Sequence, residues 1–194
     1  LTEEPDADIR AYLNTRSIYP DSFSRLYIKE YLDESMRTEI RQLCQDVIST
    51  YDTMLDTIDW LSEETRQEAK NKLKGITINA LYPDKWEDYS IYSVNEDGCV
   101  LTARLDHAKA KEQQDIGKMN GKVDREIWTQ IDILDTNAFY NPYVNSINIV
   151  PGFLCDATYR SDMSTEEKYG ALGAVIGHEI SHAFDSNGAQ YDEK

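Results

Sequence analysis

Two histidines and a glutamate in the stretch GALGAVIGHEISHAFDSNG, residues 170–188, have the residue types and the spacing of a metal site. His178 and His182 are four residues apart, and Glu179 directly follows the first of them. Residues four apart lie on one face of a helix, so both imidazoles can approach one cation at the 2.0–2.1 Å or so that is typical of Zn–N bonds. Glu179 is rotated one position round the helix, where it suits the role of a base better than that of a third ligand. The pattern therefore predicts a zinc site at which Glu179 takes a proton from water as the water attacks a carbonyl group.

Asp185 follows His182 by three residues and falls on the same stripe of the helix. We expect its carboxylate to accept a hydrogen bond from the outer nitrogen of one histidine and to fix the orientation of that ring. The chain has only three histidines, so a chance arrangement of two of them around a glutamate is improbable. The third, His107, sits in the polar stretch RLDHAKAK and is predicted to be a solvated helix residue. A serine or cysteine nucleophile would use one histidine as its base, which leaves the glutamate unexplained.

The motif lies in a segment that is predicted to be one helix from about Thr165 to Phe184. Ser164 and Glu167 form the sequence pattern of a capping box at its start. Apolar residues occur on nearly all sides of this helix, which predicts that it is buried. Three polar residues in a buried helix need a shared partner, because burying an unpaired polar group is costly.

Composition excludes several classes of partner. The 194 residues carry 36 acidic and 20 basic side chains, a net charge of −16, so nucleic acid and anionic membrane surfaces would be repelled. No window approaches the roughly 18 apolar residues of a transmembrane helix. The N-terminal stretch LTEEPDADIR has neither an initiator methionine nor the features of a signal peptide, so we expect an internal piece of a longer polypeptide. The sequence does not decide whether the protein is located in the cell envelope, the extracellular space or the cytoplasm.

The three cysteines do not suggest a disulfide framework or a zinc knuckle. Cys44, Cys99 and Cys155 are odd in number and widely spaced, and no C-x-x-C occurs. We expect free buried thiols, with Cys44 on the apolar face of a helix.

The order of elements predicts a fold that is mainly α with a small β element. Apolar residues recur every three or four positions over residues 34–60, which predicts one amphipathic helix whose buried stripe includes Leu43, Val47 and Leu55. A second helix is predicted between an N-cap at Ser62 and Gly75. Residues 82–98 read as irregular, residues 100–118 as helical, and one or two short strands are predicted within residues 137–150.

Several motifs together resemble the neprilysin and endothelin-converting-enzyme family of zinc endopeptidases, which includes bacterial oligopeptidase O-type enzymes. They are NAFY at 137–140, INIVPGFL at 147–154, the 170–188 stretch, DTIDWLSEETRQEAKNKLKGI at 56–76 and KVDREIW at 122–128. The resemblance covers about residues 45–194.

The resemblance implies a fold and a set of site residues. It implies the first part of a thermolysin-like catalytic lobe at 125–194, preceded by a connection at 101–124 and by the last part of a helical, non-catalytic lobe at 1–100. It implies zinc as the cofactor, His178 and His182 as its ligands, and Glu179 as the base. It also implies that Asn137 and Ala138, on an edge strand, bind the backbone of an oligopeptide that is cleaved on the amino side of a hydrophobic residue. Without the resemblance, Asn137 reads as a turn residue.

Three further residues of the family's site have no counterpart in this chain. They are a third zinc ligand in a Glu-x-x-x-Asp pattern, an oxyanion-stabilising histidine and a substrate-binding arginine, all of which follow the motif at a greater distance than Lys194. We therefore expect this chain to work together with the remainder of the same polypeptide and to be inactive alone. Two alternatives stay open: another H-E-x-x-H metallohydrolase such as an aminopeptidase, and a catalytically inert helical interaction module.

Overall fold

The computed structural model describes residues 6–88, 90–92, 94–95, 97–122, 128 and 132–193. The chain forms two compact units, each built from two separate stretches. The first unit comprises Leu1–Glu30 and Asp84–Ile131, and the second comprises Tyr31–Pro83 and Asp132–Lys194. Within the described part of the chain, no helix is both long and apolar enough to cross a membrane.

The described residues of the first unit form three helices: α1 (Ala7–Ile18), most of α2 (Pro20–Tyr31) and α5 (Val100–Lys118). The helix predicted at residues 100–118 is confirmed, whereas α1 and α2 were not predicted. The prediction of a solvated His107 is wrong. Its ring stacks on Tyr92 at 4.3 Å between centroids and meets the edge of Tyr19 at 5.7 Å, so it is half-buried, and this burial lowers the pKa of its imidazole.

The second unit is built on helix α3 (Glu34–Thr57), the longest element that the structure describes. Asp33 caps its start by accepting a hydrogen bond from the Met36 amide at 2.9 Å. Further elements of this unit are α4 (Glu63–Lys74), β1 (Thr77–Ala80), β2 (Ala138–Asn141), β3 (Ser146–Ile149), a 3₁₀ turn at Pro151–Phe153, α6 (Thr165–Lys168), a π-helical turn at Tyr169–Gly173, α7 (Ala174–Ser181) and a second 3₁₀ turn at Gly188–Gln190.

A three-stranded sheet of order β1-β3-β2 packs against these helices. Strands β2 and β3 form an antiparallel hairpin in which Ala138 faces Ile149, while β1 pairs with β3 in parallel, Thr77 facing Ser146. The hairpin confirms the strands predicted within residues 137–150, with β2 at an edge as expected. The parallel partner β1 was not predicted, because nothing local in TINA indicates a strand that pairs across almost 70 residues of chain.

The core of the second unit lies between α3, α7 and the sheet. Its buried side chains are led by Ile40, Leu43, Cys44, Leu73, Ile147, Ile149, Leu172, Ile176 and Ile180. Burial of Leu43 and Leu55 is confirmed, and Val47 packs against this core half-buried. Met54, placed on the same stripe by its spacing, is 44% exposed near the end of the helix.

The expected burial of the thiols holds for one cysteine only. Cys44 is fully buried, and its pKa is raised to about 12 by that burial. Cys99 and Cys155 are exposed, so the expectation is wrong for both. Each of them directly precedes a helix or turn and lies beside a threonine, Thr102 or Thr158, whose hydrogen bonds lower the pKa of the thiol.

The compact units do not coincide with the ranges that the sequence suggested for two lobes. Residues 31–83 lie in the same unit as residues 132–194, because α3 packs against α4, β1 and α7, and β1 pairs with β3 of the hairpin. The assignment of 1–100, 101–124 and 125–194 to a helical lobe, a connection and a catalytic lobe stays a prediction.

Candidate metal centre

The motif sits at the end of a helical segment that runs from Thr165 to Ser181. The predicted capping box is present: the Glu167 amide donates to Ser164 Oγ at 3.2 Å, and the Ser164 amide donates to Glu167 Oε2 at 2.7 Å. The segment ends three residues earlier than predicted, and its middle turn, Tyr169–Gly173, is π-helical. Such turns are frequent at functional sites in other proteins.

The prediction that this helix is buried on nearly all sides is wrong. One face, which carries Leu172, Ile176 and Ile180, is fully buried against the core, whereas His178 is exposed. Helix α3 holds the segment in place, because the Tyr51 hydroxyl donates to the Gly177 carbonyl at 2.8 Å, one residue before the motif. His178 is therefore exposed and His182 half-buried on the face of the helix that the core does not cover.

The two histidines present the same ring atom to each other. Nε2 of His178 and Nε2 of His182 are 3.2 Å apart, and the two rings are nearly perpendicular, at 80°. Two nitrogens bound to one tetrahedral zinc at 2.0–2.1 Å would be separated by about 3.3 Å. The donor set and its spacing therefore fit a zinc ion, and these two residues are the ones that would hold it.

Asp185 orients one of the two rings. Its Oδ2 lies 2.7 Å from Nδ1 of His182, which leaves Nε2 of that ring for the metal. Its Oδ1 accepts hydrogen bonds from the amides of Asn187 at 2.9 Å and Gly188 at 2.8 Å. The Gly188 amide, His182 and the Asn187 amide together lower the pKa of the Asp185 carboxyl to about 2, so it is ionised at neutral pH.

Glu179 points from the same helix toward the edge strand. It is 8% exposed, and its Oε2 accepts a hydrogen bond from the Tyr140 amide of β2 at 3.1 Å. The ligand atoms of His178, Glu179 and His182 lie within 4.8 Å of one another, and no other metal-binding group of three was found among the described residues. The carboxylate is thus held beside the imidazoles by a neighbouring strand.

Asn137 and Ala138 lie at the start of the strand that holds Glu179. Asn137 is exposed and directly precedes β2, and Ala138 is its first residue, with 7% of its surface exposed. Because β3 covers only one side of β2, the other side forms an edge of the sheet. The structure thus brings these two residues to the same edge as the carboxylate, as the sequence analysis expected; their role stays a prediction.

Three residues around the centre were missed by the sequence analysis: Lys72, Tyr140 and Asn145. Asn145 lies in the turn of the hairpin with a φ of 46°, and its side chain accepts a hydrogen bond from the Tyr140 hydroxyl at 2.7 Å. The signal for Lys72 was present, because Ala69, Lys72, Leu73 and Ile76 have the spacing of one helical stripe and the lysine lies within it. Lys72 is buried, with 6% of its surface exposed.

Two family models match this chain, and both are models of peptidase family M13. One matches residues 2–83 and the other matches residues 137–194. A neutral endopeptidase of Lactobacillus helveticus is 29% identical over 192 residues, which are 98% of this chain and 30% of that protein. Neprilysin-2 of Caenorhabditis elegans is 30% identical over 183 residues, which are 91% of this chain and 25% of that protein.

A solved structure shares the fold. The zinc metalloprotease ZMP1 of Mycobacterium tuberculosis in its open state matches with a TM-score of 0.87 at 30% identity, over 100% of this chain and 30% of that chain. This likeness confirms the expected zinc-peptidase fold, mainly α with a small β element. The chain spans less than a third of the length of each of these three proteins. Because the two family models together match most of its residues, the chain belongs to peptidase family M13, the neprilysin family.

Proposed function

We propose that this chain carries the zinc-binding helix and the catalytic base of a zinc-dependent metalloendopeptidase that hydrolyses oligopeptides. The observation that carries the proposal is the separation of 3.2 Å between Nε2 of His178 and Nε2 of His182, with the Glu179 carboxylate held beside them. Membership of peptidase family M13 supports zinc as the metal. When bound at such a site, zinc polarises a carbonyl group and lowers the pKa of water.

The histidines hold the metal, and Asp185 keeps one of them in the required tautomer. A proton on Nδ1 of His182 is directed to Asp185 Oδ2, 2.7 Å away, so the lone pair of Nε2 is available. The two imidazoles need not move when the metal binds, because the spacing of their Nε2 atoms already fits one cation.

Glu179 moves the proton. Its carboxylate takes a proton from water as the water oxygen forms a bond to the peptide carbonyl carbon, and it returns that proton to the amide nitrogen as the C–N bond breaks. The hydrogen bond from the Tyr140 amide fixes the direction of the carboxylate. Its burial shields the group from bulk water, which makes its electrostatic interactions with the reacting atoms stronger.

The substrate is proposed to be an extended peptide that pairs with the open edge of β2. A peptide backbone can add to an exposed strand edge through main-chain hydrogen bonds. Asn137 offers both a donor and an acceptor there, and the backbone of Ala138 begins the strand. Such pairing would lay the peptide alongside the strand whose Tyr140 amide holds Glu179. Cleavage on the amino side of a hydrophobic residue is part of this proposal.

The substitution Glu179→Gln tests the proposal in the purified full-length protein. Zinc content, measured by mass spectrometry of the metal, should be unchanged, because the histidines hold the ion. Hydrolysis of an oligopeptide should fall by about 10²–10⁴-fold, the usual contribution of a general base. Glu166→Gln, which removes an exposed carboxylate from the start of the same helical segment, is the matched control and should leave both unchanged. A Glu179→Gln protein with full activity would overturn the assignment of the base.

A further inference from the structure

Lys72 of α4 reaches the segment that follows the motif helix. Its ammonium donates to the carbonyl of Gly188 at 2.6 Å and to the carbonyl of Tyr191 at 2.7 Å. Burial lowers the pKa of this lysine, whereas the carboxylates of Asp192 and Asp185 raise it. A buried charged group is costly unless it is paired, and the two carbonyl groups offset this cost for Lys72.

The segment that Lys72 holds is the one that orients Asp185. The Gly188 amide donates to Asp185 Oδ1 at 2.8 Å, and Asp185 Oδ2 lies 2.7 Å from Nδ1 of His182. Residue 188 must be glycine for this approach, because a Cβ atom there would collide with the carbonyl oxygen of His182. A continuous path of hydrogen bonds therefore runs from the Lys72 ammonium through Gly188 and Asp185 to His182.

The backbone of Lys72 begins a second path, which ends at Glu179. The Lys72 carbonyl accepts a hydrogen bond from Asn145 Nδ2 at 3.0 Å, and Asn145 Oδ1 accepts one from the Tyr140 hydroxyl at 2.7 Å. The amide of Tyr140 in turn donates to Glu179 Oε2 at 3.1 Å. Lys72, in the last turn of α4, is thus connected by hydrogen bonds to the groups that hold the His182 imidazole and to those that hold the Glu179 carboxylate.

We propose that Lys72 is a positioning residue of the metal centre, which holds Gly188 and thereby Asp185 so that His182 directs Nε2 toward His178. This inference rests on the proposed function, since it assigns Lys72 a role in zinc binding by these two histidines. The ammonium acts on the segment Asp185–Tyr191 and does not touch the substrate or the metal. A purely structural lysine would stabilise the fold without changing the affinity for zinc.

A double-mutant cycle on the zinc affinity of the full-length protein tests the proposal. The substitution Lys72→Met removes the ammonium and keeps most of the aliphatic stem, and Asp185→Asn removes the carboxylate. Affinity is measured by competition with a chelator on protein that circular dichroism shows to be folded. Each single substitution should weaken zinc binding by about 10–100-fold, the usual effect of losing a group that supports a metal ligand. Because both act on the same imidazole, the double variant should bind zinc about as weakly as Asp185→Asn alone.

Two further variants complete the test. Lys70→Met removes a neighbouring lysine of α4 that pairs with Asp52 and Asp56 instead, and it should leave zinc affinity unchanged. Lys72→Gln replaces the ammonium with a neutral NH2 group that can still donate hydrogen bonds, and it serves if Lys72→Met does not fold. Its zinc affinity should lie between those of the wild type and Lys72→Met. In the full-length protein at saturating zinc, either Lys72 variant should lower kcat more than it changes KM.

Two results would overturn the proposal. Zinc affinity that is unchanged in a Lys72 variant, with only the stability reduced, would make the lysine structural. If the double variant loses as much zinc affinity as the two single variants together, Lys72 acts by a route other than Asp185. A third result would instead contradict the proposed function itself. In that case the wild-type protein and His178→Ala would bind zinc with the same affinity.

Discussion

Nδ1 of His182 lies 2.7 Å from Oδ2 of Asp185, and the opposite nitrogen of the same ring lies 3.2 Å from Nε2 of His178. One carboxylate outside the histidine pair thus determines which nitrogen of His182 faces His178. The arrangement occupies only eight residues of chain, but residues from α3, α4 and the hairpin hold it in place.

Removal of either histidine should abolish zinc binding. His178→Ala and His182→Ala each leave one imidazole, and one imidazole does not complete a site that needs three protein ligands. Chelator competition on the folded variants is the measurement. His107→Ala is the control, because His107 lies in the other compact unit, and it should leave zinc affinity unchanged. Equal zinc affinity in the wild type and both motif variants would place the metal elsewhere.

The 194-residue chain alone should bind zinc weakly and cleave peptides negligibly. A catalytic zinc site uses three protein ligands. Among the described residues, the imidazoles of His178 and His182 can supply two of them. Glu179 lies beside them, but the Tyr140 amide holds its carboxylate, so we do not count it as the third. Calorimetric titration of zinc into the purified chain, with its mass verified, measures this. Tight binding together with peptide turnover would reveal a third ligand within the chain.

The three cysteines should differ sharply in reactivity. Burial raises the pKa of Cys44 to about 12, whereas Cys99 and Cys155 are exposed and have lowered pKa values, and the thiolate is the reactive form. An aromatic disulfide reagent at pH 8 should therefore label two thiols quickly in the folded protein and three after unfolding. Cys44→Ala should leave the amplitude of the fast labelling phase unchanged, and Cys99→Ser should halve that amplitude. Three fast thiols in the folded wild type would contradict the packing of α3.

The capping box at the start of the motif helix should stabilise the fold in a pH-dependent way. Hydrogen bonds from Ser164 lower the pKa of the Glu167 carboxyl below its usual value of 4.5. A carboxyl whose pKa is lower in the folded state stabilises that state above the unfolded pKa, and this contribution is lost as the pH falls through the folded pKa. Glu167→Ala should therefore reduce the midpoint of denaturant unfolding at pH 7, and the deficit should shrink below pH 4.5.

Glu166→Ala is the control for that measurement, because it makes the same change in helix propensity one residue earlier in the first turn. The comparison of interest is the difference between the two variants at each pH. A deficit for Glu167→Ala that stays constant from pH 7 to pH 3 would show that the ionised carboxylate adds nothing to the cap.

The local features of the centre could be predicted from the sequence. The spacing of His178 and His182 and the cap at Ser164 depend on residues that are three or four positions apart, and local helix geometry relates such residues. A hydrogen bond between Asp185 and one of the histidines was also expected, but the helix ends at Ser181, so Asp185 lies beyond its end and not on its stripe. The amphipathic stripe of α3 and the edge strand at Ala138–Asn141 follow from periodicity in the same way. The roles of these residues in binding and catalysis stay predictions.

Features that depend on distant parts of the chain could not be predicted. The pairing of β1 with β3 and the hydrogen bonds from Lys72 to Gly188 join residues that are about 70 and 116 positions apart. The apolar residues of the motif helix suggested burial on nearly all sides, but the core covers only the face of Leu172, Ile176 and Ile180. Composition does not reveal which side of an apolar helix a neighbouring sheet will cover.

Anomalous diffraction would show whether one zinc ion binds between His178 and His182. Crystals of the protein grown with zinc would be measured on both sides of the zinc absorption edge, so that the difference between the two maps identifies the element. We expect one peak at about 2.0–2.1 Å from Nε2 of both His178 and His182, with Nδ1 of His182 still facing Asp185. A zinc peak at other side chains, or one bound through Nδ1 of His182, would contradict this expectation.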